Sequence, residues 1–133
     1  MQPNLVKIKL SVKPGRYAVC RLDSQAPLPA WIAAQPFCSV TRTADECSIV
    51  CLESAVPAGI QCERGWRMLK LEGPFAFNLV GILLAVIQPL AERGISIFAV
   101  STYDTDYVFV HAPQLDQALT VLAERGHQIS IEE

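Results

Sequence analysis

The chain has 133 residues, of which 51% are hydrophobic and 18% are charged; this is enough apolar sequence for a core without disulfide bonds and too much for extended disorder. Eleven lysines and arginines face thirteen aspartates and glutamates, so the chain lacks the excess positive charge with which proteins bind nucleic acid. Small molecules and other proteins remain as the expected partners.

The first half of the chain consists mainly of predicted strands. Alternating apolar and polar residues indicate strands at 6–12, 16–22, 37–43 and 47–54, with a short helix within 27–35. Turn residues between the strands, at 13–15 and at 44–46, predict that each pair forms a hairpin. The segment at 55–65 contains a proline and two glycines, and it is predicted to be a linker.

The second half repeats one supersecondary unit. LAERGISI at 90–97 recurs as LAERGHQISI at 122–131, and in each copy a helical pattern ends in glycine before a strand pattern begins. The predicted elements are a strand at 68–73, a helix at 79–93, strands at 94–102 and 106–112, a helix with Leu115, Ala118, Leu119 and Leu122 on one face, and a strand at 127–133. This order predicts an α+β, ferredoxin-like (βαββαβ) sandwich, with a four-stranded antiparallel sheet and both helices on one of its faces.

Local signals add detail to this fold. Asn78 suits the N-cap of the first helix, Gly94 suits the residue after its last turn, and Pro89 lies inside it. The strand at 94–102 is apolar on both faces, which predicts a place in the middle of the sheet, whereas the polar end of the strand at 127–133 predicts an edge.

No segment indicates a membrane protein. The longest apolar run, LVGILLAVI at 79–87, is about half of the roughly 18 to 20 residues that span a bilayer. The first residues, MQPNLVKIKLSV, lack the continuous apolar stretch of a secretory signal. We therefore expect a soluble, cytoplasmic protein with no membrane partner.

The cysteines fit a reducing compartment. The chain has five, Cys20, Cys38, Cys47, Cys51 and Cys62, with no C-x-x-C pair, and an odd number argues against a closed disulfide framework. Within a strand, Cys47 and Cys51 would lie on one face. The favoured interpretation is buried, reduced thiols that pack as small apolar side chains, and the alternative is a metal or redox pair.

Catalytic patterns are weak. His111 and His127 lie at strand margins, so a triad of Ser101, His111 and Asp106 rests on sequence order alone. Asp104 and Asp106 are spaced like the start of a calcium loop, but the glycine and the closing glutamate are missing. The chain is therefore predicted to be non-enzymatic, with no catalytic residues, no metal and no cofactor.

Two polar segments suit a small ligand. STYDTDYVFV at 101–110 predicts a hairpin in which Asp104 belongs to the turn, while Asp106 starts the returning strand on the face of Val108 and Val110. GPFAFN at 73–78 precedes a helix, whose first N–H groups favour an anion such as a carboxylate. An amino acid supplies that carboxylate, together with an ammonium that needs an acidic partner.

Residues 66–133 resemble an ACT domain, a small ligand-binding module that regulates amino-acid metabolism. A closer resemblance, over nearly the whole chain, is to the ACT pairs of the cytosolic arginine sensors called CASTOR and to small bacterial proteins of the same subfamily. It rests on SVTRTADECSIVC at 39–51 and GPFAFNLVGILLAVIQPLAERGISIFAVSTYDTDYVFV at 73–110. The resemblance implies a degenerate ACT-like unit at 1–62 and an ACT domain at 63–133, with a ligand held between ACT units.

The resemblance also implies a set of ligand-binding residues. They are Gly73, Phe75 and Asn78 in the loop before the first helix, Ser96 and Ile97 at the next strand, and Thr105 and Asp106 in the S-T-Y-x-T-D element. Structural alternatives stay open for three of them, namely a core serine at 96, a helix cap at 78, and core or interface packing at 75. Pro74 and the two phenylalanines depart from the sensors' loop, so arginine is not implied as the ligand.

Together these features predict a non-enzymatic regulator that binds a free amino acid, forms a homodimer and acts on another protein in trans. The alternative is a protein–protein interaction module that dimerises and binds no small molecule.

Overall fold

The computed structural model of the chain describes residues 6–73 and 81–132. In chain order its strands are β1 (Lys9–Val12), β2 (Tyr17–Leu22), β3 (Cys38–Arg42), β4 (Cys47–Leu52), β5 (Cys62–Leu71), β6 (Ile97–Ser101), β7 (Asp106–His111) and β8 (Gln128–Ile131). The α-helices are α1 (Ile82–Glu92) and α2 (Leu115–Glu124), and short 3-10 turns lie at Ala30–Ile32, Glu53–Ala55 and Ala112–Gln114. Within the described residues, neither α-helix has the length and apolar character that crossing a bilayer requires.

The chain separates into two units. Unit 1 comprises Met1–Pro14 and Arg67–Glu133, and unit 2 comprises Gly15–Trp66. The sequence predicts a single boundary between residues 62 and 63, whereas the structure places the segment that contains β1 with the second half of the chain. The physical reason is strand pairing, because β1 is hydrogen-bonded to β5 on one side and to β8 on the other.

The sheet of unit 1 has the order β8-β1-β5-β7-β6. Its elements from β5 onward follow the order strand, helix, strand, strand, helix, strand, which confirms the predicted ferredoxin-like fold. The difference is β1, which lies between β8 and β5 as an added strand; it is antiparallel to β5, with Leu10 opposite Leu71, and parallel to β8, with Leu10 opposite Ile129. The predicted four-stranded, wholly antiparallel sheet is therefore wrong in this respect.

The edges of this sheet are β8 and β6. An edge position for β8 is confirmed, since among the described residues it pairs only with β1. The predicted central position of β6 is wrong, because within residues 6–73 and 81–132 β6 pairs only with β7. A contact with the neighbouring strand accounts for one of its apolar residues, since the ring of Phe98 stacks on that of Phe109 with centroids 4.5 Å apart.

The core of unit 1 lies between the sheet and the two helices. The predicted apolar face of α2 is confirmed, since Ala118 and Leu122 are buried while Leu115 and Leu119 pack against the core. The other buried residues of this cluster are Ile8, Leu10, Val12, Leu69, Leu71, Ile82, Ala85, Val86, Leu90, Ile95, Val108, Val110 and Val121. Each fully buried leucine or valine stabilises the fold by about 1.5–3 kcal/mol.

A buried histidine compensates for the proline inside α1. Pro89 has no N–H, so the carbonyl of Ala85, four residues earlier, loses its helical donor. The Nε2 atom of His127 lies 3.0 Å from that carbonyl oxygen, and the Nδ1 atom accepts the N–H of Ile8 at 3.0 Å. Only the neutral tautomer with its proton on Nε2 satisfies both contacts, and we assign it on that basis.

The ends of α1 differ in how well the sequence predicts them. Gly94 follows the last turn with φ 71°, as predicted. At the other end the helix begins at Ile82 rather than at residue 79, and Gly81, its N-cap, has the left-handed φ of 87°. The predicted N-cap, Asn78, lies outside the described residues.

Unit 2 is an antiparallel sheet with the order β3-β4-β2-β5, to which β5 contributes its first residues. The predicted hairpin at 44–46 is confirmed by the register of β3 and β4, with Arg42 opposite Cys47. The predicted hairpin at 13–15 is wrong, since β1 and β2 pair with other strands and the chain passes from unit 1 to unit 2 there. The predicted helix within 27–35 is a single 3-10 turn, Ala30–Ile32, and β5 takes up the end of the predicted linker.

Candidate functional site

A polar pocket of about 270 Å³ lies in unit 1, where β5 ends beside the turn between β6 and β7. Among the described residues its lining consists of Lys70, Gly73, Thr102, Asp104, Thr105 and Tyr107. All of these lie within or directly after β5, in the β6–β7 turn, or in β7. The volume suits a small metabolite rather than a drug-sized ligand, whose pocket is roughly 300–1,000 Å³.

Strand alternation decides which side chains reach the pocket. Leu69 and Leu71 of β5 and Val108 of β7 are buried under the helices. Because successive side chains of a strand point to opposite faces, Lys70 and Tyr107 lie on the face of the sheet away from the helices. The pocket therefore opens on that face.

The β6–β7 turn is held by paired threonines. The N–H of Thr102 donates to the carbonyl of Thr105 at 2.8 Å, and the N–H of Thr105 donates to Oγ1 of Thr102 at 3.3 Å. The hydroxyl of Thr105, a residue only 7% exposed, donates to the carbonyl of Leu71. This last bond ties the turn to the end of β5, so that Asp104 and Lys70 are presented by two connected elements.

The pocket contains charges of both signs. Lys70 Nζ lies 3.7 Å from Oε1 of Glu72, and the other carboxylate oxygen of Glu72 accepts the hydroxyl of Ser11 at 2.6 Å. The hydrogen bond from Ser11, followed by the charges of Lys70 and Lys13, lowers the pKa of Glu72 against the opposing effect of its partial burial. Glu72 thus remains a carboxylate that holds Lys70 at one side of the pocket, and Asp104 lies in the turn at another.

The structure brings together two of the predicted site residues, Gly73 and Thr105, both of which line the pocket. Asp106 is the first residue of β7 and does not belong to the described lining; its carboxylate accepts the hydroxyl of Ser101, which lies opposite it in the β6–β7 pair. Alternation places Asp106 on the helix side of the sheet, with Val108 and Val110, whereas the pocket is on the other side.

The remaining predicted residues lie elsewhere. Ile97 starts β6, at the end far from the turn, and β6 is roughly 13 Å long at about 3.3 Å per residue. Ser96, just before it, is exposed and does not lie in a buried strand. Phe75 and Asn78 fall outside the described residues, as does the residue at 79 where the first helix, with its anion-binding N–H groups, is predicted to begin.

The pocket also contains residues that the sequence did not single out. They are Lys70, Thr102, Asp104 and Tyr107. A signal was present for Lys70, because it interrupts the apolar positions 69 and 71 of a strand and so must lie on the opposite face. The sequence correctly assigns Asp104 to the turn but does not show that this turn borders a pocket.

The structure does not bring Ser101, His111 and Asp106 together as a catalytic triad. Ser101 and Asp106 are in contact, but His111 lies at the other end of β7, roughly 17 Å away along the strand. In the part of the chain that the structure describes, no group of three or more histidine, cysteine, aspartate or glutamate side chains is arranged to hold a metal ion.

Comparison with known proteins follows the division into units. The family model described as the ACT domain matches residues 61–124, and a second model, for an N-terminal domain, matches residues 15–59. No curated protein matches the chain. The crystal structure of protein Atu0741 from Agrobacterium tumefaciens is 42% identical, with 96% of each chain covered and a TM-score of 0.91.

More distant structures share the fold. The regulatory subunit of aspartate kinase from Thermus thermophilus is 11% identical, with 90% of this chain and 96% of that one covered and a TM-score of 0.60. Aspartate kinase from Clostridium acetobutylicum, described as an allosteric enzyme, is 12% identical with a TM-score of 0.68, and the match covers 94% of this chain but 36% of the enzyme.

Proposed function

We propose that this chain, which belongs to the same family as Atu0741 and carries an ACT domain at residues 61–124, is a regulatory protein that binds a free amino acid. The regulatory part of the proposal is supported by the Thermus neighbour, which is itself a regulatory subunit of aspartate kinase. The amino-acid part is supported by the chemistry of the pocket in unit 1.

The observation that carries the proposal is that Lys70 and Asp104 both line one small pocket. A free amino acid is a zwitterion, so its carboxylate needs a cationic donor and its ammonium needs an anionic acceptor. Lys70 supplies the first and Asp104 supplies the second, through charge-assisted hydrogen bonds that are about twice as strong as neutral ones. Tyr107 lines the same pocket, and the hydroxyl of Thr102 donates to the carbonyl of Thr105 and so holds the turn that carries Asp104.

Two of the residues predicted from the sequence belong to this proposal. Gly73 has no side chain, so a ligand can approach its backbone closely. Thr105 donates its hydroxyl to Leu71 and bonds Thr102 through its backbone, so it supports the pocket by fixing the turn rather than by offering polar groups to a ligand. Phe75 and Asn78 lie two and five residues after Gly73 and remain predicted contacts.

The proposal assigns Asp106 a supporting role. Its carboxylate holds Ser101 at the base of the β6–β7 turn, and through that bond it positions the segment that carries Asp104. We therefore expect Asp104, rather than Asp106, to pair with the ligand's ammonium.

The decisive experiment is calorimetric titration with each of the twenty amino acids. We expect at least one to bind, and Lys70→Met and Asp104→Asn each to weaken that binding by about tenfold or more, since a hydrogen bond to a charged group contributes about 1.5–3 kcal/mol. The exposed residues Lys9 and Asp116, also in unit 1, provide matched controls as Lys9→Met and Asp116→Asn, which should leave the affinity unchanged. Equal binding by all four variants would contradict the site, and no heat with any amino acid would contradict the function.

A second candidate function is a module that pairs with another protein and binds no small molecule. Exposed apolar side chains favour it, because Leu84 on α1 is 55% exposed and Ile131 on the edge strand β8 is 64% exposed. A homodimer is compatible with both functions. Absence of amino-acid binding in the titrations would favour this second function.

A further inference from the structure

All five cysteines of the chain lie in unit 2. Four of them form a row across its sheet, from β3 through β4 and β2 to β5, in the order Cys38, Cys51, Cys20 and Cys62. Cys38 lies directly opposite Cys51, and Cys20 lies directly opposite Cys62. Such a row places several thiols within reach of one another on one face of a sheet.

The register selects which thiols can be joined. Residues directly opposite in antiparallel strands have Cα atoms about 4.5 or 5.5 Å apart, and disulfides bridge Cα atoms about 4.4–6.8 Å apart. Cys20 and Cys51 are diagonal neighbours, since their direct partners are Ile49 and Ala18, and diagonal pairs are roughly 7–8 Å apart. The directly opposite pairs therefore suit a disulfide, and the diagonal pair does not.

The solvent exposure of the thiols distinguishes the two directly opposite cysteine pairs. Cys38 is exposed and lies on β3, which among the described residues pairs only with β4. Its partner Cys51 is buried, as is Cys20, and Cys62 is half-buried. A reagent from solution thus meets Cys38 first, with Cys51 next to it to complete the reaction.

We propose that Cys38 and Cys51 form a dithiol site that small-molecule disulfides, such as oxidised glutathione, convert into a cross-strand disulfide. In the first step Cys38 loses its proton to solvent, and its sulfur attacks one sulfur of the small disulfide. A mixed disulfide forms, and the departing small thiolate takes up a proton.

In the second step Cys51 loses its proton and attacks the sulfur of Cys38. The bond between Cys38 and the small molecule breaks, a second small thiolate leaves and is protonated, and the protein disulfide remains. The protein has lost two protons and two electrons, and the small disulfide has been reduced to two thiols.

The surroundings of the thiols set the rate of this reaction. Burial raises the pKa of Cys38, and burial together with the neighbouring Cys38 raises the pKa of Cys51 to about 11. Because the thiolate is the nucleophile and is scarce at neutral pH, the reaction is slow there and accelerates by about tenfold per pH unit as long as the pH stays below the pKa of the attacking thiol.

The test is to incubate the whole protein with oxidised glutathione at about pH 8.5, quench it with N-ethylmaleimide in denaturant, and map it by mass spectrometry without reduction. We expect the protein to carry three N-ethylmaleimide groups, against five on an untreated sample, and the peptides of Cys38 and Cys51 to be joined with the loss of two hydrogens. Cys51→Ser should stop at a stable mixed disulfide on Cys38. The matched control Cys62→Ser, which removes a thiol from the other opposite pair, should leave the joined peptides unchanged.

Any of three results overturns the proposal: a wild-type protein that keeps glutathione on Cys38, one that shows no modification, or one in which Cys20 and Cys62 are joined instead. The wild-type peptide map decides the matter by itself if a serine variant fails to fold.

Discussion

At the scale of single residues, the Ser11–Glu72 hydrogen bond makes stability depend on pH. Ser11 is buried, and its hydroxyl lowers the pKa of Glu72 in the folded protein below the ordinary value of 4.5. A carboxyl with a depressed folded pKa stabilises the fold above its unfolded pKa, and that stabilisation is lost as the pH falls through the folded value. The unfolding free energy should therefore decrease on acidification below about pH 4.5.

Ser11→Ala tests this dependence. The variant should show a smaller loss of unfolding free energy between neutral and acidic pH than the wild type, measured by urea denaturation at each pH. Ser24→Ala, outside unit 1, is the control and should follow the wild-type curve. An identical acid response in the wild type and in Ser11→Ala would show that the bond does not couple the fold to pH.

The residues of the candidate site show which contacts can be predicted from the sequence and which cannot. Gly73 and Thr105 were predicted, because they belong to the loop and to the turn element that carry the resemblance. Alternation assigns Asp106 to the face of Val108 and Val110, both of which are buried in the core of unit 1. The sequence could not show that the pocket opens on the opposite face, where Lys70 lies, since that depends on which face the helices cover.

At the scale of elements, α1 and His127 form one coupled unit. Removing the imidazole leaves the N–H of Ile8 and the carbonyl of Ala85 without these partners, and each unsatisfied buried group costs about 1–3 kcal/mol. In a Pro89→Ala background the new N–H of residue 89 can donate to Ala85. His127→Ala should then cost about 1–3 kcal/mol less than in the wild type.

A double-mutant cycle by chemical denaturation measures this coupling. The control cycle pairs His127→Ala with Gln88→Ala, an exposed position on the same helix, and should show no coupling beyond about 0.5 kcal/mol. Equal coupling in the two cycles would mean that the imidazole does not replace the missing helical donor.

The helices and strands could largely be predicted from the sequence, but the pairing of the strands could not. The 3.6-residue period of α2 and the glycine after each helix are local signals, so the βαββαβ order could be predicted. The pairing of β1 with β5 and β8 joins residues far apart in the chain, and no local pattern in VKIKLSV reports it. β6 was predicted to lie in the middle of the sheet because its residues are apolar. An apolar composition indicates that a strand is buried, but not how many strands pair with it.

At the scale of the whole molecule, unit 2 is an insertion within unit 1. A fragment of residues 63–133 lacks β1, and with it the buried side chains of Ile8, Leu10 and Val12. Their loss costs about 1.5–3 kcal/mol each, which is comparable with the total stability of a small domain, about 5–15 kcal/mol. We expect this fragment to show no cooperative unfolding.

Joining residues 6–14 to 67–132 through a glycine–serine linker should restore unit 1. The joined protein should give a single cooperative urea transition, followed by circular dichroism, where the fragment of residues 63–133 gives none. The interpretation would be overturned if the fragment alone unfolded cooperatively at the same urea concentration as the joined protein.

The place of β1 in the sheet also affects the order in which the protein forms during synthesis. β1 leaves the ribosome before β8, its partner in the sheet, and the N–H of Ile8 can bond His127 only after a further 119 residues have been made. Unit 2 has all of its strands by residue 66 and can fold while unit 1 is still being translated. β1 is thus made before β5 and β8 but cannot pair with both of them until β8 has been made, and contacts of such long sequence separation slow folding.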